Sequence, residues 1–146
     1  MPDVDVVTGT VIRRPVAEVS SYAADPAHAP EWYANIESIT WRTDPPVAVG
    51  SRLDFVARFL GRTLSYTYEV VDLEPGERLV MRTAEGPFPM ETTYTWEPAG
   101  PDSTRMTLRN RGTPSGFAAV GAPVMAAAMR RANKKDLSRL KEILES

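Results

Sequence analysis

The sequence predicts an α+β fold: a seven-stranded antiparallel sheet, two short helices after its first strand, and a long C-terminal helix. Three observations carry this. Between Ile36 and Thr113, β-branched and aromatic residues alternate with polar ones, punctuated by Pro45-Pro46, Gly50, Gly61, Pro75-Gly76, Gly86-Pro87 and Pro98 to Pro101. After Pro114 the apolar period becomes helical. Ahead of the meander, one alternating stretch is followed by two Pro-led helix openings.

Val4, Val6, Thr8, Thr10 and Ile12 share one face of the first strand. Pro15 starts a short helix, because the N–H it lacks would be unsatisfied in a first turn anyway, and Val16, Val19 and Tyr22 follow at helical spacing. Asp25 and Pro26 read as the N-cap and first turn of a second short helix, with Pro30, Glu31, Trp32 and Tyr33 marking its continuation or a second start. The meander supplies strands near 36–43, 50–60, 62–73, 77–84, 88–98 and 103–112. Leu60-Gly61-Arg62 and Leu73-Glu74-Pro75-Gly76-Glu77 are turns that join neighbours, so sequential strands pair. In the last segment Met125, Met129, Ala132, Leu137, Leu140 and Leu144 form a stripe opposite Arg130, Arg131, Lys134, Lys135, Arg139 and Lys141. A proline inside a helix costs about 3 kcal/mol, which places Pro123 in the first turn and the helix start near Ala122.

Composition bounds the function. A chain of 146 residues fits one domain spanning 1–146, and 42% hydrophobic residues suffice for a core. With 17 Lys and Arg against 19 Asp and Glu, no dominant attraction to phosphate backbones exists, so nucleic acid is not an expected partner. The absence of Cys excludes a disulfide framework, thiolate catalysis and Cys-ligated metals. The single His28 excludes a metal site that needs two imidazoles, and no cofactor is expected. Met1 to Thr10 has no basic segment followed by an apolar run, so a cytoplasmic location is expected. Ala118 to Met129 is broken by Gly121 and Pro123 and falls short of the roughly 20 residues that span a bilayer.

Ile12-Arg13-Arg14-Pro15-Val16-Ala17-Glu18-Val19, Asp25-Pro26 and Pro30-Glu31-Trp32 resemble the opening of the START-like (SRPBCC) superfamily, in particular its polyketide cyclase/dehydrase-like branch. Val70 to Leu79, Thr93 to Pro98 and Asp136 to Lys141 extend the resemblance over nearly the whole chain. It implies the helix-grip fold, in which a twisted sheet curls around a helix too narrow to fill the concavity and a cavity remains. Members of this superfamily include cyclases, lipid and sterol carriers and quinone-binding proteins, so the resemblance implies an apolar cavity more firmly than an enzyme.

Alternation places Leu53, Phe55, Ala57 and Phe59 on the concave face, then Leu64, Tyr66, Tyr68 and Val70, then Leu79, Met81 and Thr83. Met90, Thr92, Tyr94 and Trp96 follow, then Met106, Leu108 and Asn110. The opposite phase would bury Asp54, Arg58, Glu69, Arg82, Glu91, Arg109 and Arg111 unpaired, at several kcal/mol each. Candidate ligand contacts on the sheet are Phe55, Phe59, Tyr66, Tyr68, Met81, Met90, Thr92, Tyr94, Leu108 and Asn110. The last helix adds Met125 and Met129, whose flexible thioethers suit an adaptable surface, and Trp32 and Tyr33 stand at the expected entrance. Ordinary core packing is the competing explanation for the same residues. Tyr66, Tyr68, Thr92, Tyr94 and Asn110 must find partners in one another, in water or in a ligand.

His28 and Glu31 read as surface residues. No inward carboxylate pair and no inward His or Lys is expected, so acid–base chemistry would rest on tyrosine hydroxyls or ordered water. The expected function is binding of a small hydrophobic molecule, lipid-, polyketide- or quinone-like. A polyketide aromatase/cyclase or dehydratase is the alternative, and an interaction module with a collapsed cavity is the third. Oligomeric state is open, a homodimer included.

Overall fold

The computed structural model describes residues 4–59, 61–86, 88–113 and 121–146. The expectations on Met1 to Asp3, on Leu60 in its turn, on Pro87, on the change of period at Pro114 and on Ala118 to Val120 lie outside them. The elements run β1 (Val4–Ile12), α1 (Val16–Ala23), a 3-10 turn (Pro26–His28), α2 (Ala29–Trp32) and β2 (Ile36–Trp41). There follow β3 (Arg52–Phe59), β4 (Arg62–Glu74), β5 (Arg78–Glu85), β6 (Met90–Gly100), β7 (Ser103–Gly112) and α3 (Ala122–Glu145). The fold is the helix-grip arrangement: a curled seven-stranded antiparallel sheet in the order β1-β7-β6-β5-β4-β3-β2, with α3 against it.

The meander pairs sequential strands from β2 to β7, and β1 closes on β7 from Val4 opposite Gly112 to Ile12 opposite Thr104. Gly61 and Gly76 turn the chain with φ of 79° and 78°, a region that costs other residues a steric clash. Asp25 caps the 3-10 turn by accepting from the Ala27 N–H at 3.0 Å. Several boundaries differ from expectation by one or two residues: α1 starts after Pro15, which is its N-cap, β2 stops at Trp41, β3 spans Arg52–Phe59, and β6 starts at Met90 and runs on to Gly100. In α3 the proline sits in the first turn, where its missing N–H costs nothing.

The sheet phase follows the charge argument. Glu91 on the outer face lies between Arg82 at 2.8 Å and Arg111 at 2.9 Å, and Arg52 pairs with Glu69 at 3.0 Å. A bulge between Val70 and Asp72 shifts the alternation by one, so Leu73 rather than Asp72 turns inward, opposite Leu79.

The interior holds two apolar clusters. One gathers Ile12, Val19, Trp32, Leu53, Val70, Leu79, Met106 and Leu108 under the C-terminal half of α3, where Leu137, Leu140 and Leu144 enter it. The other joins Val4, Val6, Leu64 and Phe88 to Met125 near the start of that helix. Lys141 Nζ fixes the far end of α3 by donating to the Val11 carbonyl at 2.7 Å. No helix of the described residues is long and apolar enough to cross a membrane.

Candidate ligand-binding site

Between the two clusters lies a cavity of about 110 Å³. Engineered apolar cavities of about 150 Å³ hold a benzene ring, so this smaller one, which is not closed off from solvent, takes at most a single ring. Phe55, Ala57 and Phe59 of β3 and Leu64, Tyr66 and Tyr68 of β4 form one wall. Met81 of β5, Met90, Thr92 and Tyr94 of β6 and Asn110 of β7 continue it. Met125, Met129 and Ala132 of α3 face them, and Tyr33, Asn35 and Ile36 border it from the link between α2 and β2.

Of the expected contact residues, Trp32 and Leu108 do not line the cavity. Trp32 is 1% exposed, and its indole packs on the rings of Tyr33 at 4.2 Å and Tyr94 at 5.7 Å. It supports those tyrosines from behind instead of standing at an entrance. Leu108 is 0% exposed, on β7 beside β1, where α3 packs down on the sheet edge and leaves no space. His28 stacks on Tyr22 at 4.1 Å, and Glu31 accepts the Tyr22 hydroxyl proton at 2.7 Å, both away from the cavity.

The polar residues sort by partner. Thr92 donates to Asn110 Oδ1 at 2.6 Å, which uses its one proton, so Tyr68 must be the donor in the 2.8 Å bond to Thr92 Oγ1. Tyr33 and Tyr94 share a 2.7 Å hydroxyl contact. Tyr66 stacks on Phe55 at 5.4 Å with ring planes 2° apart, and its hydroxyl meets no hydrogen-bond partner among the described residues. That hydroxyl is a donor and acceptor open to a guest. Burial raises the pKa of all four tyrosines, which keeps them neutral.

Sequence reasoning missed Asn133 and Asp136, which are 4% and 3% exposed and border the cavity. The signal was present: Met125, Met129, Ala132 and Asp136 recur at helical spacing along one face of α3. Asp136 Oδ1 accepts from the Ala34 N–H at 3.1 Å, which ties the α2–β2 link to the helix. Burial pushes its carboxyl up to about 6, against the opposing pull of the Ala34 N–H and of Lys135. The interior therefore does contain a carboxyl able to exchange a proton near neutrality. Among the described residues no group of three His, Asp or Glu could hold a metal ion.

The raised pKa gives Asp136 a signed effect on stability. The folded state binds its proton more tightly than the unfolded chain, whose value is near 3.8, so the stability present below about pH 4 is lost as pH rises through about 6. Asp136→Asn keeps the shape and removes this loss. Its thermal stability relative to wild type is expected to rise between about pH 4 and 7, by an amount on the order of 2–3 kcal/mol, as read by melting curves across that range.

A family model for polyketide cyclase/dehydrase and lipid transport matches residues 3–145. The chain belongs to that family. The backbone of this polyketide cyclase/dehydrase and lipid transport family member is similar to those of many solved structures, three of which illustrate the likeness. A Thermus thermophilus protein superposes with a TM-score of 0.80 at 21% identity, over 94% of each chain. A START superfamily protein from Mycobacterium smegmatis gives 0.81 at 16%, over 97% of each. The Zhui aromatase/cyclase from Streptomyces gives 0.81 at 15%, over 99% of this chain and 94% of that one. At these identities the likeness speaks for the START-like fold. No curated protein matches by sequence.

Proposed function

We propose that this protein, acting as a single cytoplasmic domain, binds a small hydrophobic molecule between the sheet and α3. The observation that supports this most is the cavity of about 110 Å³ left between two well-buried apolar clusters. Native cores leave few voids larger than a water, so unfilled apolar space of this size favours a guest. Tyr66 supplies one hydroxyl that is unpartnered among the described residues to orient it, while Tyr68, Thr92 and Asn110 satisfy one another. A lipid-, polyketide- or quinone-like fragment of about one ring fits that combination.

A second reading, a cyclase or dehydratase, draws support from Asp136. A carboxyl with a pKa near 6 inside the cavity could move a proton to or from a bound carbonyl compound. The two readings separate by experiment. Native mass spectrometry of protein from its own cells is expected to retain an apolar adduct, and an empty interior that takes up no apolar compound contradicts both. Asp136→Asn that abolishes product formation while leaving binding intact would favour catalysis. Tyr94→Phe is expected to leave affinity for an apolar ligand within about threefold, since its hydroxyl is already engaged by Tyr33.

A further inference from the structure

Asp136 is a buried anion at neutral pH with no Lys, Arg or His in ion-pair contact among the described residues. Buried charges in proteins are ordinarily paired, because desolvation without a counter-charge is expensive. The groups that face it supply none. From the α2–β2 link comes the Tyr33 hydroxyl and from β6 the Tyr94 hydroxyl, both held neutral by burial. On its own helix Asn133 contributes an amide nitrogen that lacks a hydrogen-bond partner among the described residues, and exposed Lys135 pulls on the carboxyl from solvent without forming an ion pair. Arg58 borders the cavity at an exposed rim and exerts no pull on the carboxyl. The rest of the wall carries the rings of Phe55, Tyr66 and Tyr68, whose faces attract cations.

Building on the ligand-binding reading above, we propose that the guest is an aromatic amine whose ammonium group pairs with the Asp136 carboxylate while its ring lies among Phe55, Tyr66 and Tyr68. A neutral alcohol of the same shape satisfies the hydrogen bonds and leaves the charge. A carboxylate is repelled by Asp136. The volume of about 110 Å³, below the roughly 150 Å³ that hold benzene, limits the amine to one ring, with its linker taken up where the flexible Met125 and Met129 side chains give way.

Calorimetric titration with 2-phenylethylamine, 2-phenylethanol and phenylacetate tests this. At about pH 7.5 the amine is expected to bind at least tenfold more tightly than the alcohol, with phenylacetate weakest. Between about pH 7.5 and 5 the amine's affinity falls about tenfold as Asp136 takes up its proton, and the alcohol's does not. Asp136→Asn lowers the amine's affinity at least tenfold and abolishes its advantage over the alcohol. Should that variant fail to fold, the pH dependence in the wild-type protein decides alone. Equal binding of amine and alcohol, a pH-independent amine, or an amine preference that survives in Asp136→Asn overturns the proposal and leaves the ligand-binding reading standing. Failure of both amine and alcohol to bind overturns the proposal, and if 4-ethylphenol and other apolar compounds are refused as well the ligand-binding reading falls with it.

Discussion

Ala132→Phe is expected to abolish binding of single-ring apolar guests while the melting temperature stays level or rises. Ala132 lies on the face of α3 that borders the cavity, between Met129 and Asp136 in the same stripe. A phenyl ring there occupies the space the guest would use. An affinity loss of about 100-fold or more, or about 2.7 kcal/mol, is expected by calorimetry. The stability readout separates filling from crowding. A new ring in a closely packed interior forces side chains off their rotamers and costs about 1–3 kcal/mol, whereas a ring in empty space buries apolar surface at no such cost. Lost binding with an undiminished melting temperature is the result that fits a cavity.

Trp32→Ala carries the second large effect, and it acts on stability first. The indole is 1% exposed and fills the space behind Tyr33 and Tyr94, so truncation leaves a void among core residues. Losses of about 3–5 kcal/mol follow such changes, which lowers the melting temperature of a chain this size by roughly 10 °C. Trp32→Phe is expected to be much milder. The buried Trp32 Nε1 has no hydrogen-bond partner among the described residues, so replacing the indole removes an unsatisfied donor along with some volume. Thermal melts of the two variants side by side check the order, and equal losses would mean that the indole nitrogen has a partner after all.

Which side chains face inward was legible in the sequence because only one strand phase keeps Asp54, Arg82, Glu91 and Arg111 in water, and the ion pairs on the outer sheet face follow that phase. Depth was not legible. Alternation assigns Leu108 and Phe55 to the same face, yet α3 packs down beside β1 and stands off from β3 to β6, so only the second of them meets open space. Trp32 was misplaced for a related reason: a pattern of Pro, Glu and Trp marks a helix turn but not the direction in which its largest ring points. Asp136 was overlooked because a charged residue on a helix stripe is usually read as solvated, and its burial depends on the Ala34 N–H, a partner 102 residues away in the chain. The bulge at Val70 to Asp72, which turns Leu73 inward, leaves no comparable mark in the sequence.

The most direct test of the cavity as binding site is an NMR titration of the methionine methyl groups with 4-ethylphenol. Met81, Met90, Met125 and Met129 border the cavity, while Met106 is fully buried in the cluster under the C-terminal half of α3. The expected result is saturable shifts and ligand contacts at the first four, with Met106 unmoved. Shifts at Met106 alone, or at none of the five, would contradict a guest held between the sheet and the helix.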